Sequence, residues 1–127
     1  MKLCNLMATK AVIVVVFGVG FILIPTTVLS FYGVTLNPGG AVITQLFGAA
    51  FILLGILLWF ARNAPSSDVA LRAIILAIVV GDAIGFIVGL LAQLSGMMNA
   101  LGWVTVALYL LLSFGFGYFQ FVKPATS

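Results

Sequence analysis

Asp82 is the side chain of this sequence best placed to do chemistry. It lies inside an apolar run over residues 73–92, while the other charged residues fall in or beside the gaps between such runs. An ionisable group at membrane depth either binds a proton, a cation or a ligand, or fixes helix register through a hydrogen bond. The sequence leaves both roles open. Tyr109 and Ser113, near the centre of the last apolar run, match its depth and are its candidate partners. No basic residue is expected at that depth. Arg72, on the same helix, lies about 15 Å away at a rise of about 1.5 Å per residue. The carboxyl costs about 2.5–3.5 kcal/mol at a helix centre, and each branched or aromatic neighbour returns about 0.3–0.6 kcal/mol. The run can therefore insert unaided, and Asp82 needs a partner only in the folded state. With one cysteine (Cys4) no intrachain disulfide can form, and the absence of histidine and glutamate removes almost every transition-metal site. No metal and no cofactor is expected.

A second set of polar residues, Thr44, Gln45, Gln93 and Asn99, falls toward one end of its spans; the four either rim a shallow opening above Asp82 or, as is commoner, are polar groups satisfied at helix interfaces. Around Asp82 the helix has two faces. At 100° per residue, Gly81, Gly85 and Gly89 share an arc of about 120° with Asp82 and Gln93, and branched aliphatics fill the opposite arc. Glycine at every fourth position lets helix backbones approach closely, so Gly81, Gly85 and Gly89 are the expected helix-packing face inside the bundle, with oligomerisation through the same face as the alternative. The aromatic run Phe114, Phe116, Tyr118, Phe119 and Phe121 is expected to meet lipid, with a hydrophobic ligand as the alternative.

These residues must be positioned by membrane-spanning helices. The chain has 127 residues, 65% hydrophobic and only 6% charged, where soluble domains carry about 25% charged residues. Four spans, roughly 11–29, 41–61, 73–92 and 101–121, each approach the ~20 residues needed to cross a hydrocarbon core. Asn37-Pro38-Gly39-Gly40, residues 63–68 and residues 95–99 are turns between them. Ser66 or Ser67 is expected to cap the third span, with Asp68 in its first turn, and Asn99 to cap the fourth. Pro25 is expected to kink the first. That span outruns the h-region of a secretory signal, so it is expected to remain as an anchor. Lys2, Lys10, Arg62, Arg72 and Lys123 belong to the termini and the middle gap, whereas the other two gaps are uncharged. Positive residues stay inside. The expected fold is therefore one all-α domain, residues 1–127: a four-helix up-down-up-down transmembrane bundle with cytoplasmic N- and C-termini. Trp59 and Tyr118 would mark the inner interface, Tyr32 and Trp103 the outer one.

Four short helices with a glycine-punctuated third one resemble the DoxX-like group of small bacterial membrane proteins. The stretches from Asn37-Pro38-Gly39-Gly40 to Phe60-Ala61-Arg62, and from Gly81-Asp82-Ala83-Ile84-Gly85 to Ala100-Leu101-Gly102-Trp103, also resemble uncharacterised bacterial proteins of this size. The resemblance covers most of the chain and rests on pattern, with no catalytic motif. It implies a multi-pass protein of the bacterial inner membrane. Some members of the group serve as subunits of quinone-linked redox complexes, but no residue here carries that role over.

The scattered basic residues form no patch for nucleic acid. The bilayer is one expected partner; a larger membrane complex or a second copy of the chain is the other. The expected role is an accessory or structural subunit and not an enzyme. The alternative is a small transporter, or a protein that binds a proton or a lipophilic ligand (quinone or lipid) through Asp82.

Overall fold

The computed structural model describes residues 2–65 and 67–122, and among them all regular structure is helical. The elements are α1 (Leu3–Leu23), α2 (Pro25–Phe31), α3 (Pro38–Ala61), α4 (Val69–Leu94) and α5 (Gly102–Gly117), followed by a π-helical turn (Tyr118–Val122). Four helices are long and apolar enough to cross a membrane: Leu3–Leu23, Pro38–Ala61, Val69–Leu94 and Gly102–Phe121.

Local chemistry sets the boundaries, and at the first span they differ from the sequence expectation. Pro25 does more than kink this span. It has no N–H to donate and it disfavours helical geometry at the residue before it. Ile24 leaves the helix at φ −139° and ψ 59°, α1 ends at Leu23, and Pro25 becomes the first residue of the short α2. To reach spanning length, α1 extends toward the N-terminus and takes in Lys10, which the sequence reading left in a charged gap. Asn37 caps α3 by accepting from the Gly40 N–H at 2.6 Å, with Pro38 at the first helical position. Asp68 is itself the cap of α4, accepting from the Leu71 N–H at 3.0 Å, so it precedes the first turn and leaves Ser67 no capping role. Ser66 and Lys123 lie outside the described residues. Asn99, expected to cap the fourth span, accepts from the Leu101 N–H at 3.0 Å in the turn before α5; Leu101 itself occupies the cap position and makes no side-chain cap.

The helices associate as two pairs, α1 with α3 and α4 with α5. The α1–α3 crossing is a backbone contact. A Cβ on Gly18 would lie 2.8 Å from the Gly48 carbonyl oxygen, and one on Gly48 would lie 2.7 Å from the Gly18 carbonyl oxygen. Gly55, farther along α3, presses against Val15 and the Ala11 carbonyl. In lipid such a crossing gains its stability from van der Waals contact. The α4 glycine row behaves differently from the expectation. Gly85 receives the Tyr109 ring, Gly89 is in ordinary contact with Val106, and a Cβ on Gly81 would meet nothing within 4 Å. Only Gly85 is a tight packing site, and its neighbour is a side chain.

The two pairs join at their ends. At one end Leu6, Met7 and Ala11 of α1, Leu58 of α3, Leu71, Ile75 and Ile78 of α4 and Phe116 of α5 form a common buried cluster. Cys4 Sγ also donates to Asn63 Oδ1 there, at 3.4 Å. At the other end the Asn99 N–H donates to the Tyr32 carbonyl at 2.8 Å and Asn99 Nδ2 to the Phe31 carbonyl at 2.9 Å. The outer faces carry exposed apolar side chains, among them Val16, Leu23, Leu46, Leu53, Phe60, Leu111 and Phe114, as a lipid-facing surface requires. The aromatic run of the last span divides: Phe116 is fully buried, while Phe114, Tyr118 and Phe121 are exposed.

Gly18→Val should lower the stability of the detergent-solubilised protein by about 1–3 kcal/mol, the usual penalty of overpacking. Gly117→Ala, where a Cβ meets nothing within 4 Å, should leave it unchanged. SDS-induced unfolding followed by circular dichroism measures both.

Candidate functional site

The buried side of α1 consists of Leu6, Met7, Lys10, Ala11, Val14 and Gly18. These recur at the i, i+3, i+4 spacing of one helix face, so an ammonium group stands in the middle of an apolar stripe. The stripe delivers Lys10 to Asp82 of α4. Lys10 Nζ donates to both carboxylate oxygens, at 2.8 and 2.9 Å. The residues are only 4% and 5% exposed. The expectation that Asp82 has no counter-ion is therefore corrected. Desolvating two charges is costly, and this contact offsets the cost because each charge has its complement within hydrogen-bond distance. The pair bonds one helix pair to the other.

The expected partners of Asp82 take other positions. Ser113 Oγ donates to the Val79 carbonyl at 3.2 Å, stitching α5 to α4. Tyr109 stands beside Asp82 on a shared cavity wall with its ring against Gly85, and among the described residues no hydrogen bond joins the two side chains.

That cavity, of about 390 Å³, lies between the two helix pairs. One wall is aromatic and comes from α1 and α3. Phe47 and Phe51 have ring centroids 4.3 Å apart, Phe21 lies 5.7 and 5.8 Å from them, and Phe17 lies 6.0 Å from Phe21. Ile78, Gly81, Leu108 and Leu112 line it from α4 and α5. Its polar groups are few: Lys10, Asp82, Tyr109, Thr105 and Tyr32. The Thr105 hydroxyl donates to the Tyr32 hydroxyl oxygen at 3.0 Å, which leaves the Tyr32 O–H free to donate. Tyr32 thus lines the cavity, although it was expected at the lipid interface.

None of the four expected rim residues lines the cavity. Thr44 Oγ1 donates to the Gly40 carbonyl at 2.8 Å, within its own helix. Gln45 Nε2 donates to the Ile22 carbonyl at 3.0 Å, serving a carbonyl near the end of α1. Gln93 Nε2 donates to the Asn99 carbonyl at 3.0 Å. Its Oε1 is buried without a hydrogen-bond partner and packs where any Cβ at Gly102 would sit. Asn99 bonds α2 to the turn before α5, as described above. These residues tie helix ends together.

Sequence reasoning missed Lys10, the phenylalanine wall, Tyr32 and Thr105. Lys10 had a legible signal, because the apolar stripe of α1 continues through it to Leu6. The rest carried none, since every span contains phenylalanine and nothing in the sequence singles out these four. Among the described residues no group of His, Cys, Asp and Glu is arranged to hold a metal. Comparison of the chain with family models, curated proteins and solved structures finds no match.

Removing one member of the ion pair strands a buried charge. Lys10→Met and Asp82→Leu should each destabilise the solubilised protein by about 3–5 kcal/mol, and the double variant should recover most of that loss. A double-mutant cycle of SDS unfolding checks the coupling. Additive losses would show that the two charges are not coupled in the folded protein.

Proposed function

We propose that this chain is a multi-pass protein, not an enzyme, that holds an uncharged lipophilic molecule in the cavity between its two helix pairs. The observation that carries this reading is the cavity itself. Its volume of about 390 Å³ falls in the ~300–1,000 Å³ range of small-molecule sites, and such sites combine apolar walls with a few convergent polar groups. The charge of the ligand follows from the ion pair. Lys10 and Asp82 together are neutral, and a charged ligand would add an uncompensated charge in a medium of low dielectric. Both oxygens of Asp82 are engaged by Lys10, which argues against a cation pathway through this carboxylate. Gly85 and Gly89 of α4 are occupied by Tyr109 and Val106 of the same chain, which argues against this row as a docking face for another subunit.

The same proposal includes up-down-up-down threading through the bacterial inner membrane, with both termini in the cytoplasm. In support, the Cys4–Asn63 contact brings Lys2 and Arg62 to one end, near the start of α4 and Arg72. The end tied by Asn99 carries no charged residue in either of its turns. With Lys10 paired inside, the remaining basic residues still satisfy the positive-inside rule.

Extraction into nanodiscs followed by native mass spectrometry tests the binding reading. A co-purified apolar molecule is expected at about one per chain, and Gly81→Leu should displace it by filling the cavity. Equal retention by Gly81→Leu, or no bound molecule in either protein, would overturn it.

A further inference from the structure

We infer that Lys10 is a covalent attachment point for a lipophilic aldehyde, held as an iminium with Asp82 as its counter-ion. This inference rests on the cavity reading above and goes beyond it by naming the reactive atom and the ligand's functional group. Lys10 Nζ is the only amine among the described residues that line the cavity, and the hydroxyls beside it, those of Thr105 and the two tyrosines, are weaker nucleophiles toward carbonyls. For an ion pair alone, arginine would offer a rigid two-pronged fork to the carboxylate. Lysine is the cation whose neutral amine forms Schiff bases when desolvated.

The geometry supplies each part of the reaction. Asp82, with both oxygens within 2.9 Å of Nζ, accepts a proton from the ammonium. The free amine attacks the aldehyde carbon and forms a C–N bond. A proton passes from nitrogen to oxygen to give the carbinolamine. The C–O bond then breaks as Asp82 returns its proton to the departing oxygen, which leaves as water, while the nitrogen lone pair forms the C=N bond of the iminium. The balance is ammonium plus aldehyde giving iminium plus water, with no oxidant or reductant. Charge is conserved at every stage: a cation against a carboxylate becomes another cation against the same carboxylate. The reaction therefore adds no buried charge, and the interaction that holds Lys10 also holds the product. The phenylalanine wall offers an apolar bed for the chain of the aldehyde, away from the water that would hydrolyse the imine.

The test uses dodecanal as the probe, on the full-length protein in nanodiscs, with sodium cyanoborohydride to trap the imine and peptide mapping to locate it. A dodecyl increment on Lys10, formed at least about tenfold faster than on the exposed Lys2, is expected, since residence in the cavity raises the effective concentration at Nζ. Gly81→Leu, which fills the cavity while keeping both members of the ion pair in the sequence, should bring Lys10 down to the rate of Lys2. Labelling of Lys10 no faster than Lys2 in the wild-type chain would overturn the inference, as would equal labelling in Gly81→Leu. Dodecanol, which has the same chain and no carbonyl, separates the two readings. Dodecanol bound in native mass spectra with no selective Lys10 adduct would sink the covalent step and leave the cavity reading standing. Binding of neither compound would sink both.

Discussion

The contact between Lys10 and Asp82 is the constraint around which the rest of this structure is arranged. Two opposite charges far from water are tolerable only at hydrogen-bond distance, so α1 and α4 must meet in one register. That register decides which residues of α1 face inward. It also places the Leu6–Met7 end of α1 against Leu71 and Ile75 of α4, where the shared apolar cluster forms. Met7, Leu58 and Phe116 are fully buried in that cluster, to which all four long helices contribute.

Glycine decides where the backbones can approach. The Gly18–Gly48 crossing and Gly55 draw α1 and α3 into direct contact. On the other side Gly85 accepts a tyrosine ring, so α4 and α5 pack through side chains. Each pair is satisfied internally, and the pairs meet through the apolar cluster and ion pair at one end and the Asn99 and Tyr32 hydrogen bonds at the other. A space is left between them, lined where the two pairs face one another. The cavity is thus a consequence of pairing within, and clamping at the ends.

The polar residues divide into two kinds of work. Gln45, Gln93, Asn99 and Ser113 hold backbone carbonyls at helix ends and crossings, the use expected where no water can satisfy them. Lys10, Asp82, Tyr109, Tyr32 and Thr105 instead border the cavity. On the binding proposal, their hydroxyls and charges would orient the ligand in an otherwise apolar space.

Much of the architecture is legible in the amino-acid sequence. Four long apolar runs separated by Pro, Gly and Asn turns dictate four spanning helices, because lipid forces backbone groups to bond within each span. The turn signals at Asn37-Pro38-Gly39-Gly40 and at residues 63–68 mark the breaks before α3 and α4, and Asp82 stands out as an acid at membrane depth. The sequence alone did not decide where α1 begins, since Lys10 has the composition of a loop end and becomes a core residue only once Asp82 is opposite it. Nor did it decide which glycines are crossings: Gly81 and Gly18 look alike in the chain, and they differ only in what a neighbouring helix brings to them. The phenylalanine wall, Tyr32 and Thr105 converge from three helices and the turn after α2. Helical periodicity is a local property of one segment, whereas a cavity is defined by the distance between segments, and that distance is set by the packing of the whole chain.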